Sequence, residues 1–93
     1  MMKLDKLDLK ILKENFDDEM IAKIDDENVS KIMVYLEKNG IYYAKDLFLL
    51  SLDLFLLPYS EFVNKFEKLK EKLGNNYINK LSEDISLIEI MYD

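Results

Sequence analysis

Ninety-three residues and 11.1 kDa leave room for one hydrophobic core, since a second would leave fewer than about fifty residues for each. The chain is 49% apolar and 34% charged, with two Gly and one Pro, which excludes a disordered polypeptide and supplies too few breakers for a turn-rich all-β fold. It has no His, Cys or Trp, and every one of its thirteen cations is Lys. Thiol chemistry, His-based triads and most metal sites are thereby removed. The net charge of −6 repels free nucleic acid unless positive charge is segregated on one face.

Charge is not segregated in that way along the sequence. Residues 1–28 carry a net −4, residues 29–60 balance, residues 61–73 reach only +1 and residues 74–93 carry −3. Asp5 follows Leu4 near the start, where a signal peptide needs an unbroken apolar stretch, so a cytoplasmic protein is expected. The longest apolar run, residues 47–57, contains Ser51 and Asp53 and falls short of the roughly twenty residues that span a bilayer.

Taken in order, the elements read as short helices. Leu4, Leu7 and Ile11 share one face of a first helix ending near Glu14. Asp17 or Asp18 caps a short turn carrying Met20, Ile21 and Ile24. Asp25, Asp26 and Glu27 then open a well-bounded helix through Val29, Ile32, Met33 and Leu36, which Asn39-Gly40 stops in the left-handed region. A short helix over residues 44–50 and a second one capped by Ser51 form the apolar centre, and Pro58 ends the second.

Ser60 and Glu61 begin a longer amphipathic helix with Phe62, Phe66, Leu69 and Leu73 on one side, closed by Gly74. Ile78, Leu81, Ile85 and Ile88 repeat at steps of three and four, which predicts a single last helix to about Met91. That stripe closes the chain's own core, although a two-fold pairing through it is the alternative, so the chain is expected as a monomer or homodimer. The predicted fold is all-α, a compact bundle of about six or seven short helices forming one domain over residues 1–93.

No constellation carries catalysis, a cofactor or a metal. Asp25-Asp26-Glu27 lacks the alternating ligands and central Gly of a calcium loop, and the isolated Gly40 and Gly74 form no phosphate-binding loop. Tyr42-Tyr43 divides between a ring on the core and one on the surface. Lys65, Lys68, Lys70 and Lys72 are largely neutralised by Glu61, Glu67 and Glu71 at helical neighbour positions.

The residues Asn39-Gly40-Ile41-Tyr42-Tyr43, Asp46-Leu47, Leu56-Leu57-Pro58, Phe66 and Leu69 give residues 17–74 an order that resembles the C-terminal domain of the bacterial RNA polymerase alpha subunit and the wider helix-hairpin-helix (SAM-like) group. The resemblance implies a helix-hairpin-helix-like core between an N-terminal helix (1–16) and a C-terminal one (75–93). It also implies minor-groove contacts from the helix before the Ile turn and from a Gly-containing loop. The family's basic residue falls on Lys31 and a nearby Asn on Val34, while the loop reads Tyr59-Ser60-Glu61-Phe62-Val63-Asn64 with no Gly. Without Gly the backbone is held away from a phosphate, and Glu61 adds repulsion.

Three functional expectations follow. In the first, a non-enzymatic protein-interaction module of transcription or nucleic-acid metabolism docks its partner through surplus aromatic and aliphatic residues around Tyr42, Tyr43, Tyr59 and Phe62, with Phe48 and Phe55 nearby in sequence. The second is an acidic, anti-CRISPR-like inhibitor of phage or mobile-element type that enters a nuclease or polymerase channel with Asp17, Asp18, Asp25, Asp26, Glu27 and the acidic tail. The third is residual DNA binding through Lys31, Lys65 and Lys68.

Overall fold

Acidic N-caps set most of the early helix starts. In the computed structural model, which describes residues 5–92, Asp5 caps α1 (Lys6–Asn15) through a reciprocal pair with Asp8, and the Asp17 carboxylate accepts from the Met20 amide to open α2 (Asp18–Ala22). The Asp25 carboxylate accepts from the Glu27 and Asn28 amides at the start of α3 (Asp26–Lys38). Each satisfies donors that the first helical turn leaves without an internal partner. The end of α3 is equally specified. Gly40 has φ +84°, its amide donates to the Glu37 carbonyl, and the Ile41 amide donates to the Leu36 carbonyl at 3.0 Å, while Ile41 and Leu36 are both fully buried. This is the glycine-terminated stop that a left-handed residue permits.

Two short helices, α4 (Ala44–Leu50) and α5 (Leu52–Phe55), fill the centre, and α6 (Tyr59–Leu73) packs against α3. α7 (Tyr77–Glu83) and a 3-10 helix (Ile85–Tyr92) complete the chain; among the described residues there are no strands. Leu12, Val29, Ile32, Leu36, Phe48, Phe55, Phe62, Phe66, Leu69 and Leu81 join one core, each at most 1% exposed. The Cα radius of gyration is 12.8 Å, close to the roughly 12 Å of a compact chain this long.

Four expectations are corrected. α1 does not bury the Leu7 stripe: Leu7 is 64% exposed, Ile11 is half-buried, and Asp8 and Leu12 face inward, while Leu4 lies outside the described residues. The cause is an ion pair across 37 positions, Asp8 to Lys45 of α4 at 2.6 Å, which rotates the helix so that the i, i+4 pair of Asp8 and Leu12 meets α4. Ser51 sits at the start of α5 but makes no side-chain cap there. α6 begins at Tyr59 rather than at Ser60-Glu61, after Pro58 in the N-cap position. Finally, the last helix breaks at Asp84, whose carboxylate accepts from the Ser86 amide and hydroxyl. Beyond it the three-residue turn of a 3-10 helix keeps Ile85, Ile88 and Met91 on one inward face.

Since Pro58 supplies no side-chain cap, the cap of α6 comes from elsewhere. The Asn28 side chain, on the first turn of α3, accepts from the Tyr59 amide at 3.0 Å and donates to the Leu57 carbonyl at 2.7 Å. Asn28→Ala removes these bonds at once and is expected to cost about 1–3 kcal/mol, lowering Tm by about 4–8 °C per kcal/mol. Urea and thermal unfolding followed by circular dichroism measure it; a loss no larger than that of Ser30→Ala would show that the tether is unimportant.

The Asp8–Lys45 pair gives a pH signature. The hydrogen bond from Lys45 holds the Asp8 carboxyl below its ordinary 3.8, against the opposing effect of burial. A depressed carboxylate contributes stability that is complete above its unfolded value and is lost as pH falls through the folded one. Asp8→Asn is therefore expected to reduce stability at neutral pH and to flatten the loss below about pH 4, as read from denaturation midpoints between acid and neutral pH.

Candidate functional site

The outward face of α3 forms one wall of an open groove of about 690 Å³. Glu27, Lys31, Val34 and Lys38 line it at steps of four, three and four, so they stack into one straight seam about 16 Å long. Asp26 extends the acidic end, Ser30 and Tyr35 lie beside the seam, and Tyr59 from the start of α6 supplies the other wall. Val34 is 49% and Tyr59 37% exposed. Glu27 and Lys31 pair within the helix at 3.9 Å, with both side chains mostly in solvent, an arrangement worth only a few tenths of a kcal/mol.

Tyr35 anchors the groove floor. Its ring meets Tyr59, Phe62 and Phe66 edge-on, with centroids 5.8–6.4 Å away, a favoured geometry for aromatic quadrupoles. Its hydroxyl donates to the Glu67 carboxylate. Burial, then the hydrogen bond to Glu67 and its charge, pushes the Tyr35 phenol well above its ordinary range. The same hydrogen bond, helped by Lys70 at 3.0 Å, lowers the Glu67 carboxyl. The floor is thus locked while the rim carries solvent-facing acids at one end and Lys38 at the other. Such a surface offers apolar contact and charge to whatever meets it; among the described residues no cluster of three acids is arranged to hold a metal ion.

The expected aromatic site is divided. Tyr42 is 81% exposed and stands edge-on against Tyr43, but it does not line the groove. Tyr43 is buried, and its hydroxyl donates to the Ile78 carbonyl at 2.8 Å; burial, with Tyr42 adding to it, pushes its phenol up to about 12. Phe62 is fully buried between Phe55 and Phe66, and Phe48 and Phe55 lie in the same core. Tyr43, Phe62, Phe48 and Phe55 are therefore packing residues, a correction that follows from the inward face of α6 and from the turn after Gly40. Of the four aromatic candidates, Tyr42 and Tyr59 reach the surface.

All five acidic candidates are exposed. Asp17 and Asp25 are engaged as caps, Asp18 lies in the first turn of α2, and Asp26 and Glu27 belong to the groove. The three lysines of the DNA-binding expectation do not converge on it: Lys31 lines it beside Glu27, whereas Lys65, half-buried, and Lys68, exposed, project from α6 elsewhere. The stretch from Tyr59 to Asn64 is the first turns of α6, not an open loop, with the Tyr59 amide held by Asn28 and the Phe62 amide by the Pro58 carbonyl at 3.0 Å. Ser30, Tyr35 and Lys38 escaped sequence reasoning as site residues. Their signal was present in the seam spacing of α3, which shows only when its polar face is read as carefully as its apolar one.

No protein-family profile, curated protein or solved structure matches the chain.

The acidic cluster can be separated by function. Asp25→Ala removes the α3 cap and is expected to cost about 1 kcal/mol, whereas Asp26→Ala and Glu27→Ala, which break no cap bond, should each cost only a few tenths of a kcal/mol through the helix dipole and surface pairing. Urea titration of the three variants checks the order, and an Asp25→Ala variant as stable as the parent chain would contradict it.

Proposed function

We propose that this chain is a non-enzymatic protein-interaction module whose docking surface is the groove between α3 and Tyr59. The observation that carries the reading is the groove's make-up: Val34 and Tyr59 offer apolar surface above a floor fixed by Tyr35, and Asp26 and Glu27 at one end oppose Lys38 at the other. Apolar anchors ringed by charge are what protein interfaces use for affinity and orientation respectively. Because the floor is already ordered, little conformational freedom is lost when a partner binds. No described helix is long and apolar enough to cross a membrane, and we place the module in the cytoplasm. The partner class we favour is transcription or nucleic-acid-processing machinery, on the resemblance of residues 17–74 to the RNA polymerase alpha C-terminal domain and helix-hairpin-helix proteins.

The acidic-inhibitor reading stands second, supported by the exposure of Asp17, Asp18, Asp25, Asp26 and Glu27 together. Direct DNA binding is the weakest, because Lys31 is neutralised by Glu27 and the Tyr59 and Phe62 amides already have acceptors. The discriminating experiment is affinity capture from the native host, followed by titration of the recovered protein. Val34→Asp and Tyr59→Ala should weaken binding at least tenfold, about 1.4 kcal/mol, with Asp17→Asn, which removes the charge and keeps a cap-forming side chain, nearly silent. A dominant effect of Asp17→Asn and Asp18→Lys would favour the inhibitor instead, and salt-sensitive retention of duplex DNA at about 50 mM salt would overturn the proposal.

A further inference from the structure

The seam on α3 is complementary to itself. Glu27, Lys31, Val34 and Lys38 follow the four-three-four spacing of a two-helix interface. Turned end for end about a two-fold axis through the middle of α3, the same seam sets Glu27 against Lys38 of a second copy, Lys31 against Val34, and Ser30 against Tyr35. Each contact occurs twice, as an isologous interface requires. The charged ends then attract at both extremities, and the Lys31 stem lies over Val34 with its ammonium at the edge. The two Lys31 ammoniums flank the axis, each accompanied by its own Glu27 at 3.9 Å. Parallel packing has no such match, since it would put Glu27 on Glu27 and Lys38 on Lys38.

We infer that the occupant of the groove is a second copy of this chain, with the two α3 helices antiparallel and Glu27 of each bonded to Lys38 of the other. The inference rests on the reading of the groove as a protein-docking surface: the second copy covers it in the free protein, and the partner recovered from the host competes with that copy for the same residues. Tyr59, standing beside Tyr35 at the groove wall, flanks the incoming helix. The small Ser30 side chain admits the opposing Tyr35 edge.

Sedimentation equilibrium of the full chain from about 1 to about 200 µM tests it, because dimerisation follows mass action. The parent chain should shift from monomer to dimer across that range, and more weakly at high salt. Glu27→Lys and Lys38→Glu alone should each raise the dimer dissociation constant about tenfold or more, two pairs being turned repulsive. The double variant Glu27→Lys/Lys38→Glu should restore association. Val34→Asp should abolish it while leaving the circular dichroism spectrum unchanged. A chain that stays monomeric throughout overturns the inference, as does a double variant no better than either single one. The docking reading fails separately, if Val34→Asp and Tyr59→Ala leave capture of the recovered partner unaltered.

Discussion

One side chain governs how the two longest helices meet. Asn28 accepts from the Tyr59 amide and donates to the Leu57 carbonyl, so the first turn of α3 is bonded to the start of α6 on both sides of Pro58. Neither partner has a local substitute: Pro58 has no side-chain cap to offer, and the Leu57 carbonyl precedes the helix. An amide side chain meets both needs because it carries a donor and an acceptor at once. The groove is a consequence, since Tyr59 stands across from Asp26 and Glu27 only while this tether holds. The tether also consumes a donor that an anion at this corner would need.

Beneath the groove, aromatic rings pass the constraint inward. Tyr59 touches Tyr35, Tyr35 touches Phe62 and Phe66, and Phe66 meets Tyr77, each at 5.8–6.4 Å and nearly perpendicular. The chain of rings ends in polar anchors: Tyr77 donates to the Asn39 carbonyl at 2.7 Å, and Lys70 reaches Asn39 from above the Tyr77 ring. The glycine-terminated end of α3 is thus fixed to α7, where a methyl on Gly40 would come within 2.7 Å of Ile78. Both ends of α3 are bonded to segments distant in sequence. Its exposed seam is therefore a rigid straight edge rather than a pliable surface.

Local signals were legible and remote ones were not. The caps at Asp17 and Asp25, the stop at Gly40, and the inward stripe of Phe62, Phe66, Leu69 and Leu73 follow from residues within a turn or two of one another, and the structure has them. The facing of α1 depended on Lys45, 37 positions away, and the start of α6 on Asn28, 31 positions away; no periodicity records such partners. The C-terminal break misled because steps of three satisfy an α-helix and a 3-10 helix alike, so only Asp84 marked the change. In the candidate site, Asp26, Glu27, Lys31 and Tyr59 were each noticed but assigned to separate surfaces. Their shared groove arises from the packing of α3 against α6, which sequence spacing does not contain.

The polarity of the groove follows from the rule that places acids at helix starts and lysines at helix ends. Asp26 and Glu27 lie in the first turn of α3, and Lys38 in its last, each favoured by the helix dipole before any partner is considered. A surface built this way is acidic at one end and basic at the other by construction. A second helix that obeys the same rule matches it only when it runs the opposite way, because parallel alignment stacks like charges and like dipole ends. Stability of the single helix and the orientation proposed for its partner therefore draw on the same three charged side chains. A second copy meets the requirement without any further adaptation of its sequence.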